Sequence, residues 1–316
     1  MIGVIGAHGF IGRSLIDHFN AEQTPVTAFV RQRRPSDRYN FGPLPDIREL
    51  TLGGDFDPDH FAGMETVVLS ASMTNPRTPE NSKEAETRKN VLPHMRFVEQ
   101  LRTTDVKHLI FLSSGGTVYG DAPQNQVITE THATNPITDY GFGKLCIEQA
   151  LIRIWHRSGR QLTILRPSNP TGKHQLRSLN QHGLIPTVFD NIVSGRTISV
   201  FGNGQTVRDY FAVEELCELI GIVASDLGSK SKILNVSSGT GHSIKHVIEI
   251  AKEVLRLPAR VHFRLGSQPR IDRNILSNQA AFRIYGWHPK RSVGDIFEQL
   301  KEREMQNALI QNVISA

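Results

Sequence analysis

An apolar run, Ile2–Ile5, passes directly into Gly6-Ala7-His8-Gly9-Phe10-Ile11-Gly12, and a helical pattern with apolar Ile11, Leu15, Ile16 and Phe19 follows. Three glycines at such a strand-to-helix turn constrain the fold more than any other feature of the chain. They allow a tight turn, close approach of the backbone to a phosphate, and close packing of helix on strand. The free amides and dipole at the helix N-terminus then favour a pyrophosphate. In this setting Gly6, Gly9, Phe10, Ile11 and Gly12 read as the phosphate cradle of a dinucleotide. A glycine turn with no ligand accounts for the spacing poorly.

The rest of the chain agrees with that start. Val26–Val30, Thr66–Leu69, His108–Leu112 and Leu162–Leu165 are short apolar runs, separated by helical patterns such as Val91/Met95/Val98/Leu101. Wholly apolar strands alternating with helices imply a parallel sheet covered on both faces. Pro93 interrupts the second helical pattern. After residue 170 the alternation loosens. The expected fold is α/β, a doubly wound parallel (Rossmann) sheet with a smaller, discontinuous C-terminal substrate lobe. The division falls at 1–168 and 205–237 for the dinucleotide domain, and at 169–204 and 238–316 for the lobe.

Composition narrows the function classes. Thirty-six Lys+Arg against 31 Asp+Glu give +5 over 316 residues. The densest cluster is only Arg31, Arg33 and Arg34, too short for a nucleic-acid stripe, so an anionic small ligand is expected and no nucleic acid. No apolar stretch approaches the ~20 residues that span a bilayer. No secretory signal opens the chain, so a cytoplasmic location and no membrane partner are expected. Two cysteines, Cys146 and Cys217, exclude a disulfide scaffold, and no cluster shows metal-ligand spacing.

Four further segments carry chemistry: Ser113-Ser114-Gly115-Gly116-Thr117-Val118-Tyr119-Gly120, Tyr140-Gly-Phe-Gly-Lys144, Arg166-Pro-Ser-Asn169-Pro-Thr-Gly172 and Val207-Arg208-Asp209-Tyr210. With the glycine turn, they resemble the extended short-chain dehydrogenase/reductases, the sugar-nucleotide epimerases, dehydratases and reductases. The resemblance runs in family order from residue 2 to about residue 300. Tyr140 and Lys144, four apart, share a helix face. A neighbouring ammonium and a positive nicotinamide ring both favour tyrosinate, so Tyr140 is expected to titrate below an ordinary tyrosine and to take a proton from a sugar hydroxyl. The resemblance implies that Lys144 also holds the nicotinamide ribose.

One departure stands out. The family's catalytic Ser or Thr falls at Gly115, which has no hydroxyl. Thr117 is the first candidate to replace it, on the expectation that a regular strand end points 115 and 117 to one face. Ser114 is the second. The acidic pair of the family's dehydratases is replaced by Gly116 and Thr117, which disfavours a 4,6-dehydratase. For the cofactor, Arg31 stands where an NAD-binding member carries an acid. Guanidinium suits a 2′-phosphate, which tips the expectation to NADP over NAD, with a solvated basic loop as the alternative. The resemblance adds Asp55 and Phe56 beside adenine, Asn90 and Pro167 near the cofactor, and Asn169 and Arg208 on the diphosphate of a nucleotide sugar. Arg270 or Arg273 adds a second contact there.

The resemblance therefore implies a nucleoside-diphosphate-sugar 4-epimerase working through a 4-keto intermediate, in nucleotide-sugar metabolism or surface polysaccharide synthesis. An NADP-dependent 4-keto-sugar reductase is the alternative, and a dinucleotide sensor without catalysis a more distant one. The helix from about Tyr140 to Trp155 is apolar on more than one face and needs cover on both sides. The sheet covers one, and the resemblance implies that a partner subunit covers the other, in a homodimer.

Overall fold

The computed structural model describes residues 1–316 except 38–40, 43–44, 77, 79–81, 122–125, 176–182, 266–270 and 316, with 307–315 described in backbone only. Seven strands form one sheet: β1 (Ile2–Ile5), β2 (Val26–Val30), β3 (Asp46–Glu49), β4 (Thr66–Leu69), β5 (His108–Leu112), β6 (Gln161–Pro167) and β10 (Lys232–Val236). Their order is β10-β6-β5-β4-β1-β2-β3, every pairing parallel. This is the doubly wound arrangement expected, with the order reversing between β1 and β4. Ligands in such sheets sit in the crevice outside the carboxyl ends of the strands at that reversal.

The helices are α1 (Phe10–Ala21), α2 (Lys83–Glu86), α3 (Leu92–Leu101), α4 (Gly115–Val118), α5 (Asp139–Ile154), α6 (Leu184–Val193), α7 (Val213–Ser225), α8 (Ile244–Leu255), α9 (Gln279–Tyr285) and α10 (Val293–Ser315). Successive strand residues point to opposite faces, so Val4 joins Leu15, Ile16, Leu216 and Ile220 of α1 and α7, while Ile5 joins Phe97, Leu101, Ile147 and Leu151 of α3 and α5. These two buried layers hold the sheet between them. Between α2 and α3, Thr87–Val91 form a π-turn. Pro93, in the first turn of α3, has no N–H for the Lys89 carbonyl, and the ladder shifts register around that gap instead of breaking.

The smaller lobe holds a sheet centred on β9 (Val207–Ala212), paired with β7 (Asn169–Thr171), β11 (Gly241–Ser243) and β13 (Arg273–Asn274). A separate parallel pair joins β8 (Thr197–Phe201) to β12 (Arg260–Arg264). The lobe has its own core, with Ile185, Phe189, Val200, Ile248 and Phe297 buried together. Two differences from the sequence division follow. Residues 207–212 belong to the lobe's sheet, and α9 returns from the lobe to pack Ala281 into the α1/α7 layer.

Candidate active site

The glycine turn follows β1 directly. Gly6 takes φ +90°, and a Cβ on it would lie 2.8 Å from the Ala71 backbone at the end of β4. A Cβ on Gly12 would collide with the Gly6 carbonyl. Only glycine fits at both positions. Gly9 is the N-cap of α1, with no side-chain cap and no acid in the first turn. The first amides of the helix therefore stay available to an anion. A pyrophosphate fits this cradle.

Around the end of β2 the structure adds detail that the sequence did not reveal. Arg31 is exposed, and its guanidinium has no hydrogen bond among the described residues. Arg33 is engaged with β3, through its guanidinium on the Ile47 carbonyl and its amide on Glu49 Oε1 at 2.8 Å. Asp37, 3% exposed, accepts from the Arg34 amide at 2.7 Å and from His8 Nε2 at 2.8 Å. Burial opposes its charge, but those two donors outweigh burial and hold the carboxyl below its ordinary range. Asp55 is exposed and paired with Arg96 at 2.8 Å, while the Phe56 ring packs on Phe61 and Phe97.

Tyr140 and Lys144 lie in the first turns of α5, which Thr138 caps by accepting from the Gly141 amide at 3.1 Å. Lys144 is buried. Its Nζ donates to the Leu112 carbonyl at 2.8 Å and sits 5.7 Å from the centre of the Tyr140 ring. The Tyr140 hydroxyl has no hydrogen-bond partner among the described residues. Its acidity departs from the expectation. Burial pushes Tyr140 well above the ordinary tyrosine range, and the charge of Glu86 pushes it the same way. The ammonium alone does not make tyrosinate, because it is itself desolvated: burial lowers Lys144 to about 8, against the opposing pull of Glu86 and Glu148.

Asn90, in the π-turn, donates through Nδ2 to Thr74 Oγ1 and Glu86 Oε2, both at 2.8 Å, and accepts from the Met73 amide at 2.8 Å. The Asn90 carbonyl takes His94 Nδ1 at 2.7 Å. His94 is fully buried and lowered to about 4, chiefly by burial, so it is neutral.

The residues meant to replace the family hydroxyl rearrange. Residues 115–118 form a helical turn and not a strand end, so 115 and 117 point about 200° apart. The expected shared face does not exist. Thr117 is buried, and its hydroxyl lies 3.4 Å from the Ser114 carbonyl. Ser114 is half-buried at the N-cap of that turn, and its hydroxyl has no partner among the described residues. A Cβ at Gly115 would meet the Arg166 carbonyl at 2.7 Å and crowd Leu276, so this backbone has no room for the family's serine at 115.

On the lobe side, Asn169 Nδ2 donates to the Asp209 carbonyl at 2.8 Å. Arg208 donates to the backbone carbonyls of Val207 at 2.8 Å and Ile271 at 2.6 Å, while burial lowers it from the usual arginine range. Carbonyl dipoles orient that guanidinium without cancelling its charge. Arg273 begins β13, and its Nε is buried without a hydrogen-bond partner among the described residues. Arg270 lies outside the described residues. Pro167 ends β6, buried opposite Val236. No group of three metal-ligating side chains occurs among the described residues, and no described helix is long and apolar enough to cross a membrane.

A Rossmann sheet with a Tyr-x-x-x-Lys helix at the carboxyl ends of its strands defines a dinucleotide-dependent enzyme of the short-chain dehydrogenase/reductase type. The chain belongs to the NAD dependent epimerase/dehydratase family, whose profile matches residues 2–237. It is 29% identical to the UDP-glucose 4-epimerase of Corynebacterium glutamicum, over 92% of this chain and 91% of that one. It is 26% identical to the dTDP-4-dehydro-6-deoxyglucose reductase of Escherichia coli, over 94% and 95%. In structure it is similar to the Stenotrophomonas maltophila UDP-glucose 4-epimerase solved with NAD and formylated UDP-arabinopyranose. The TM-score is 0.85 at 21% identity, covering 97% of this chain and 99% of that one.

Proposed function

We propose that the protein is an NAD(P)-dependent nucleoside-diphosphate-sugar 4-epimerase. The observation that carries this reading is Tyr140, its hydroxyl without a partner among the described residues and its ring centre 5.7 Å from the buried Lys144 ammonium, behind a glycine turn that admits a pyrophosphate. When bound, a nicotinamide cofactor supplies a hydride acceptor and, once oxidised, a positive ring. Gly6, Gly9, Phe10, Ile11 and Gly12 hold its diphosphate. Lys144 holds its ribose and fixes the Tyr140 ring. Tyr140 removes the proton of the sugar 4-hydroxyl as the C4 hydride departs, and gives it back to that same oxygen once the 4-keto sugar has turned its other face to the returning hydride, with Ser114 donating to the oxygen. Arg208 and Asn169 anchor the sugar diphosphate and leave the sugar free to turn over. Tyr140→Phe should cost on the order of 10²–10⁴ in turnover with cofactor affinity retained. Full activity in that variant overturns the reading.

The 4-keto-sugar reductase is the second reading, supported by the similarity to a reductase and by Arg31. Arg31, exposed and without a hydrogen bond among the described residues, favours NADP over NAD through its charge and planar fork. A homodimer through the outer sides of α3 and α5 is supported by Leu92 at 54% exposure and by half-buried Phe142 and Cys146. Ile147, Leu151 and Trp155 are already covered by the sheet side. Light scattering on the purified chain tests that assembly.

A further inference from the structure

Arg208 is oriented by backbone, and that backbone is itself held from across the crevice. The guanidinium donates through Nη2 to the Ile271 carbonyl at 2.6 Å and through Nη1 to the Asp272 carbonyl at a longer 3.5 Å. The N–H at the other end of each of those peptides turns to one side chain. The amides of Asp272 and Arg273 donate to Asp121 Oδ1, at 2.9 and 3.3 Å. Two successive peptide units therefore stand between a carboxylate and a guanidinium, each N–H toward the first and each C=O toward the second. Hydrogen bonds in such a chain polarise one another. Asp121 is exposed and follows Val118-Tyr119-Gly120, the segment that leaves α4. Its contacts thus tie β13 of the smaller lobe to the loop beyond that turn. Asn274 Nδ2 makes a second tie, to the Gly115 carbonyl at 3.3 Å.

We propose that Asp121 is a positioning residue for Arg208: it fixes the peptides of residues 271–273, and through them the guanidinium that meets a nucleoside diphosphate. The inference rests on the reading of Arg208 as the anchor of that diphosphate. By charge alone an acid is out of place here, because a carboxylate repels the anion that the arginine is to hold. Its geometry gives it a use. A carboxylate in direct contact would occupy the planar fork and neutralise it. Held one peptide away, it steers the fork and leaves it open, and every hydrogen bond of Arg208 among the described residues goes to a backbone carbonyl. Burial works against the Arg208 charge, while Tyr210, Asp121 and Asp272 support it.

The test is the affinity for UDP, or for dTDP should wild type bind only that, read by isothermal titration calorimetry. Full-length protein is first saturated with NAD⁺ or NADP⁺, so that the glycine turn is filled. Charge and position predict opposite signs. Asp121→Ala removes a negative charge, and repulsion alone would make the diphosphate bind more tightly. Loss of positioning should instead weaken it about tenfold, the scale of one charge-assisted hydrogen bond. The free nucleoside, which has no phosphate, should bind as to wild type. Asp121→Asn keeps the accepting oxygen and should stay within about threefold of wild type. In an Arg208→Ala background Asp121→Ala should have no further effect, since both act through one group. Tighter or unchanged diphosphate binding in Asp121→Ala, or an equal loss for the nucleoside, overturns the inference and leaves Arg208 in its role. Wild-type affinity in Arg208→Ala, or a wild type that binds neither diphosphate, overturns the anchor reading and the inference with it.

Discussion

Two buried glutamates stand at the helix that carries Tyr140, one within it and one against it, and different groups hold them. Glu148, within α5, takes a fork from Arg166, with Nη2 at 2.6 Å and Nε at 3.0 Å, and also the Ser113 hydroxyl. Arg166 continues to the Tyr119 hydroxyl at 2.8 Å, and that hydroxyl donates to Asn235 Oδ1 at 2.8 Å. The knot ties β5, β6, β10, α4 and α5 together, with its charge neutralised in direct contact. Glu86, against α5, accepts from the Thr74 hydroxyl and from Asn90 Nδ2 at 2.8 Å. A charge cancelled at contact distance serves the fold.

The contrast is sharpest in stability. Glu148→Ala strands the Arg166 guanidinium in the core and should cost about 3–5 kcal/mol of unfolding free energy, read by denaturant titration. A loss below about 1 kcal/mol would erase the distinction between the two glutamates. A smaller effect is expected at the hydroxyls. Ser114→Ala should lower turnover by roughly tenfold or more without changing stability, the loss of one donor to developing charge. Thr117→Val should leave turnover near wild type, because that hydroxyl already faces the Ser114 carbonyl. The reverse order in parallel assays restores Thr117. Smallest is Arg31→Ala, a charge outside any knot. It should weaken NADP binding about tenfold in a fluorescence titration, leave NAD binding alone, and leave stability unchanged.

Much of the sheet was legible because its central strands are buried on both faces and so carry unbroken apolar runs, as in Val26–Val30 and His108–Leu112. The edge strand β3 was not. Asp-Ile-Arg-Glu has one apolar residue, and only pairing with β2 makes it a strand. Tyr140 and Lys144 stood out because their helical spacing came together with the glycine turn, the serine-rich segment and the family resemblance these carry. The turn at 115–118 was misread because two glycines carry no periodic signal, and the neighbouring strand suggested continuation. Glu86 escaped notice for a different reason. Four residues from Asn90 in a polar stretch, it looks like any solvated glutamate, and only the packing of α2 against Gly143 shows its burial. The fall in Tyr140 acidity was equally hidden, since desolvation is a property of the packed site.

The last strand of the large sheet comes late in the chain. β6 ends at Pro167, and its outer neighbour β10 begins only at Lys232. On a ribosome adding ~5–20 residues per second, the outer edge of β6 waits roughly 3–13 seconds for that neighbour. During the wait, apolar Leu162, Ile164 and Leu165 border open backbone donors and acceptors, the kind of edge that recruits foreign strands. That edge is covered only when Lys232–Val236 emerges and pairs with Thr163–Pro167.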